Sequence, residues 1–251
     1  MVQFNRQGVK GVICILKFEK YSGNPILAPE SKNQWENFCV LNPAVCFDEK
    51  TQKFVMLYRA GGDDIKHKIR IGIATSDDGV HFVRQSDKPV LDAEDYEPDG
   101  GCIEDPRIVC IDGRYFITYA ARAFAPGRYW LPDKQFKAER GTWLVKQPDC
   151  SPQFVQINHT VTYLAYTDDF VTYKKLGRIT DSRLDDRDVV LFPRRINGKF
   201  VRISRPEVNG EKAMWIAYSD DIVEWGSGSV LYCGTESWEG TRIGAGCPPI
   251  E

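Results

Sequence analysis

The chain has 251 residues, 42% of them hydrophobic, enough to bury a sizeable core, and all-β folds of this length are often a single domain. Its 33 basic and 35 acidic residues leave a net charge of −2, which argues against a nucleic-acid binder or a membrane-surface binder built on one basic face. Any positive site must be local.

The first apolar stretch, Gly11 to Leu16, is too short for a membrane span and runs straight into Lys17, Glu19 and Lys20. Eight cysteines (Cys14, Cys39, Cys46, Cys102, Cys110, Cys150, Cys233, Cys247) are scattered without a Cys-x-x-Cys pair, and only His67, His81 and His159 accompany them. That spacing lacks zinc-ligand pairs and predicts buried free thiols. Reduced thiols without an export signal point to the cytoplasm.

Next comes a recurring pair of strands. Pro43-Ala44-Val45-Cys46-Phe47 leads into Lys53–Tyr58, Pro106-Arg107-Ile108-Val109-Cys110 into Arg114–Tyr119, and Val189-Val190-Leu191-Phe192-Pro193 into Lys199–Ile203. Asp112-Gly113 and Asn197-Gly198 are hairpin turn signals. Each pair is followed by one ten-residue repeat, aligned without gaps: Ile73 to Phe82, Leu164 to Tyr173, and Ile216 to Trp225. Every copy reads strand, Ser/Thr-Asp-Asp turn, strand, with an aromatic residue at the tenth position. Short polar side chains close such turns by bonding their own backbone, so the Asp pairs are turn residues and not catalysts.

Two strands plus two strands make a four-stranded unit, and repeated four-stranded units predict an all-β propeller. Residues 1–251 then form one catalytic domain of three blades, with residues 243–250 as the first strand of a fourth. The second blade carries an insert at about residues 125–160, rich in Pro, Trp, Lys and Arg. A propeller avoids bare sheet edges only by closing its ring, so the expectation is a fragment of a longer product, with pairing to a second copy as the other solution.

Inner strands of blades converge on a channel, so polar residues at their starts share one pocket. Those residues are Asn42, Glu104-Asp105-Pro106-Arg107, Asp186-Arg187-Asp188 and Arg242, with Arg59 and Arg205 on second strands. A carboxylate beside arginines there can protonate a glycosidic oxygen. Asp105 can equally close a turn before Pro106.

Five stretches, in this order, resemble glycoside hydrolase family 130, the β-mannoside phosphorylases and related mannosidases. They are Leu41-Asn42-Pro43-Ala44-Val45, Glu104-Asp105-Pro106-Arg107-Ile108, the run from Arg187 to Lys199, Ser204-Arg205-Pro206, and Gly244-Ala245-Gly246-Cys247-Pro248-Pro249-Ile250. The resemblance runs from about Tyr21 to the end and omits the insert. It implies a five-bladed propeller and an inverting reaction in which Asp105 supplies the proton through a hydroxyl of the mannosyl residue. Inorganic phosphate is then the cosubstrate, with no metal or organic cofactor implied, attacking to give mannose 1-phosphate, with Arg187, Arg205 and Arg242 as its ligands. Asn42, Arg59 and Arg70 would hold the mannosyl ring, with Asp63 and Asp64 as further candidates.

Other readings stay open beside these. The three arginines can instead tie blades together through Asp186, Asp188 or Glu207. The reaction can be hydrolysis by water, or the chain an inactive sugar-binding fragment. Arg128, Tyr129, Trp130, Lys134, Trp143 and Lys146 of the insert suit stacking on acceptor sugars, a contact between subunits of a homo-oligomer, or packing within their own loop.

Overall fold

The computed structural model describes residues 19–93, 98–144 and 158–250. The apolar run at residues 11–16, Cys14, Cys150, Lys146 and the middle of the insert lie outside the described residues. The described cysteines are free thiols, but Cys102 alone of them is fully buried and Cys110, Cys233 and Cys247 are exposed, against the expectation of burial.

Three antiparallel sheets follow one another along the chain. The first blade is β1 (Cys39–Asp48), β2 (Lys53–Gly61), β3 (Ile69–Ser76) and β4 (Val83–Arg84), ordered as in the sequence. The second is β5 (Cys102–Ile111), β6 (Arg114–Arg122), β7 (Val161–Thr167) and β8 (Lys174–Arg178). In the third, β9 (Asp186–Leu191) pairs with β10 (Phe200–Val208), followed by β12 (Met214–Ser219) and β13 (Ser229–Tyr232). A short β11 (Glu211–Lys212) joins it through Asn209-Gly210, whose φ values of 53° and 82° make a tight hairpin. The first strands are innermost: β1 packs against β5, and β5 against β9.

Strand alternation explains how the blades adhere. Val55, Leu57, Ile71 and Ile73 of the first blade meet Ile103, Ile108 and Ile117 of the second. Val109, Ile111 and Leu164 meet Val189, Leu191 and Phe200 of the third. Each fully buried side chain of this kind stabilises by about 1.5–3 kcal/mol. Trp35, Ile26 and Leu27 pack against the other face of the first blade, over Met56 and Tyr58.

The repeated turns close as their composition requires. Ser76, Thr167 and Ser219 each accept a backbone N–H two residues on through their hydroxyl oxygen. In every copy the second Asp (Asp78, Asp169, Asp221) then accepts two further backbone N–H groups through Oδ1. Those backbone bonds hold all three carboxyls below the ordinary range. The tenth-position aromatics Phe82, Tyr173 and Trp225 each pack against a buried cluster.

Two elements depart from the sequence expectation. Residues 243–250 form no strand; the described chain there makes only a parallel bridge, Arg242 to Lys212. The insert also holds a helix, α1 (Asp133–Gly141), with Asp133 in its first turn, Arg140 in its last and an ion pair between Lys137 and Asp133. It buries no residue, so no apolar periodicity announced it.

Candidate active site

Each inner strand breaks its pairing at the same place. The register slips between Leu41 and Ala44, between Glu104 and Arg107, and between Arg187 and Val190. The residue entering each slip is left-handed: Asn42 at φ 46°, Asp105 at 53° and Asp188 at 55°. Asn and Asp tolerate that conformation best among non-glycine residues, and a bulge re-aims the side chain it carries. Cross-strand partners repeat as well, since Arg59 faces Leu41 and Arg205 faces Arg187, one residue before the bulge in both blades.

Asp105 is gripped from the first blade. Its Oδ1 accepts Nδ2 of Asn42 at 2.8 Å and Nη1 of Arg59 at 3.0 Å. The same Nη1 lies 2.7 Å from Oε2 of buried Glu104. Burial opposes the charge on Arg59, but Glu104 and Asp105 outweigh it and its pKa rises. Glu104 is in turn 3.8 Å from Nε of Arg122.

A second group of charges adjoins the first. Arg187 donates to both oxygens of Asp185, at 2.9 and 2.8 Å, and to the Thr160 hydroxyl at 2.6 Å. That hydroxyl also accepts Nε of Arg122 at 2.9 Å, so two guanidinium groups converge on one oxygen. Nε of Arg205 lies 3.0 Å from Oδ2 of Asp188, and its backbone N–H donates to Asp186. Burial pushes the Asp186 carboxyl up to about 7, against the pull of Arg202.

Arg59, Glu104, Arg122 and Arg187 line one side of a cavity of about 440 Å³; Pro126, Tyr129, Phe136 and Arg140 of the insert line another. Asp105 adjoins this cavity through Arg59, which both share. The arrangement joins a carboxylate fixed by two hydrogen bonds to a basic, partly enclosed chamber. Such a chamber can hold an anion next to a proton donor.

The structure thus brings together Asn42, Arg59 and Asp105, with Arg187 beside them at the cavity. Arg205 is paired with Asp188, one of the tie partners foreseen for it. Arg187 takes Asp185, which was not foreseen, while Glu207 pairs with Lys212. The remaining candidates have other surroundings. Arg70 donates to Asp92 and to the Lys68 carbonyl. Asp63 exchanges hydrogen bonds with Asn37, and Asp64 closes a turn onto the N–H groups of Lys66 and His67. Arg242 is exposed and makes no ion pair among the described residues.

Glu104 was placed in the pocket without a role, and Arg122, Thr160 and Asp185 were not picked out as site residues. Arg122 was legible in principle, because Ala120 faces Glu104 and period-two alternation sends residue 122 to the same side. Thr160 lies at the end of the insert, outside any pattern.

Successive four-stranded blades with a carboxylate held beside a basic cavity suit an enzyme that acts on carbohydrates. The family model described as beta-1,4-mannooligosaccharide phosphorylase matches residues 15–140, and the chain belongs to this family, glycoside hydrolase family 130. It is 31% identical to the 1,2-beta-oligomannan phosphorylase of Thermoanaerobacter sp., over 94% of this chain and 69% of that one. It is 27% identical to the beta-1,4-mannooligosaccharide phosphorylase of Ruminococcus albus, over 92% of this chain and 60% of that one. In fold it is similar to the solved beta-1,2-mannobiose phosphorylase of Listeria innocua, with a TM-score of 0.67 and 22% identity over 92% of this chain and 71% of that one.

Proposed function

We propose that this protein cleaves β-mannosides with inorganic phosphate, releasing mannose 1-phosphate with inversion at the anomeric carbon. The observation that carries the reading is the fixing of Asp105 by Asn42 and Arg59 at the edge of a cavity lined by Arg122 and Arg187.

In this reading a phosphate oxygen forms the new bond to the anomeric carbon while the bond to the leaving oxygen breaks. Asp105 supplies the proton that the leaving oxygen gains, relayed through a mannosyl hydroxyl, and regains one from the incoming phosphate. Arg187 and Arg205 hold the phosphate, with Arg242 as the third candidate; their planar donors match its oxygens. Asn42 and Arg59 orient the mannosyl ring against Asp105. Arg70, with Asp63 and Asp64 as further candidates, would join them at that ring only if each left its present partner, Asp92 for Arg70, Asn37 for Asp63 and the Lys66 N–H for Asp64.

The named relatives act on β-1,2 and β-1,4 mannosides, so both linkages are the substrates to test. Incubation with each, with and without phosphate, should yield mannose 1-phosphate only when phosphate is present. Free mannose released at the same rate without phosphate would overturn the proposal in favour of hydrolysis.

A further inference from the structure

The insert of the second blade does not stay on its own sheet. Gly127 donates its N–H to the Lys66 carbonyl at 2.8 Å, and Trp130 stacks on Phe38 with ring centres 4.5 Å apart. Trp130 also meets buried His67 edge-on at 4.7 Å. Phe38, Lys66 and His67 belong to the loops flanking the first blade, so the insert crosses over and is clamped there.

Its own residues stiffen it. Arg128 donates Nε to Glu139 at 2.9 Å, fastening the crossing loop to α1. Gly127 sits at φ 70°, and a Cβ there would lie 3.2 Å from both Phe136 and Trp143. A left-handed turn under two rings requires glycine.

This clamp leaves Tyr129 in an unusual position. Its side chain lines the cavity that holds Arg59 and Glu104, yet the residue is 60% exposed. Its ring meets His67 and Trp130 only at steep angles, 68° and 79°, and no ring among the described residues stacks parallel to it. The anchoring is done by Trp130 and Phe38, so Tyr129 is not needed to hold the loop. Arg140 lines the same cavity, but its Nε is shut off from solvent and its guanidinium lies 5.6 Å from the centre of the Phe136 ring. The exposed ring of Tyr129 is thus the group on this wall that matches a pyranose, which offers a C–H face to an aromatic ring.

We propose that Tyr129 is the platform for the acceptor-side sugar, its ring stacking on the residue at the reducing side of the scissile bond. This rests on the phosphorylase reading. The platform acts on the sugar that leaves, not on the mannosyl group that is transferred.

The test runs the reaction in the synthetic direction, from mannose 1-phosphate and β-mannooligosaccharide acceptors. Tyr129→Ala should raise KM for the acceptor about tenfold, the loss expected for one ring stack. KM for mannose 1-phosphate, kcat at saturating acceptor and the melting temperature should stay within about twofold or unshifted. Tyr129→Phe should restore the acceptor KM. An unchanged acceptor KM, or an equal rise for both substrates, overturns the platform. If the wild-type protein shows no phosphate-linked turnover in either direction, the phosphorylase reading fails on its own. Calorimetric titration with β-mannotriose then decides the platform, which is rejected if Tyr129→Ala binds as tightly as wild type.

Discussion

Asn42, on the first blade, donates its side-chain amide to Asp105, on the second, at 2.8 Å. Both are left-handed bulge residues of inner strands, so one local backbone device points two side chains from different sheets at each other. The Asp105 carboxyl is thereby oriented by the fold itself, and on the proposed reading that positioning would lower the barrier to proton transfer.

Asp105→Asn retains an oxygen to accept from Asn42 and Arg59 but has no proton to give. Turnover should fall by about 10²–10⁴, the span typical of a lost general acid. The circular dichroism melt should stay within a few degrees of wild type. Turnover near the wild-type level would remove Asp105 from the role of acid.

Arg59→Met should cost stability as well as turnover. It leaves Glu104, 5% exposed at its side chain, with only the 3.8 Å approach of Arg122. Removing one partner of a buried ion pair costs about 3 kcal/mol, which urea denaturation would read directly. A midpoint equal to wild type would mean that the cluster is not a structural tie.

Arg187→Lys separates charge from geometry. Lysine keeps the positive charge but loses the fork that grips Asp185 and reaches Thr160. KM for phosphate should rise at least about tenfold with little change in KM for the mannoside. The same change at exposed Arg242 gauges how far that residue takes part.

Asp186 makes stability pH-dependent. Its carboxyl is raised from 3.8 to about 7 by burial, so between these values the folded state holds a proton that the unfolded state has released. Stability from this group is full below about pH 4 and is lost as pH rises to about 7, at about 1.4 kcal/mol per pH unit. Asp186→Asn keeps an acceptor for the Arg205 N–H and should flatten that slope. Parallel denaturation curves for variant and wild type between pH 5 and pH 7 would contradict it.

Gly72→Ala tests a close approach. A Cβ there would sit 2.3 Å from the ring of Tyr58, which is fully buried with its hydroxyl 3.0 Å from buried Glu36. Overfilling of this kind costs about 1–3 kcal/mol. The loss should appear in the melt and not in KM.

The blades were legible because their signals are local: two-residue alternation, Asp-Gly and Asn-Gly turns, and the Ser/Thr-Asp-Asp repeat. Asp105, Asn42 and Arg59 were legible because they recur at equivalent strand positions and match a family pattern. Arg187's fork onto Asp185 was not, since adjacent acids at 185, 186 and 188 offer the same charge and only the strand's facing chooses among them. The convergence of Arg122 and Arg187 on Thr160 joins residues from a strand end, an inner strand and the end of an insert. No spacing rule connects those three.

The repeated bulge has a consequence for how such a site changes over time. Because the kink in each inner strand is left-handed, it restricts its occupant to the few side chains that tolerate that backbone, Asn and Asp foremost. Amide and carboxylate already occupy equivalent sockets at Asn42, Asp105 and Asp188. Exchange between those two groups is the change of chemistry that the ladder admits at least cost.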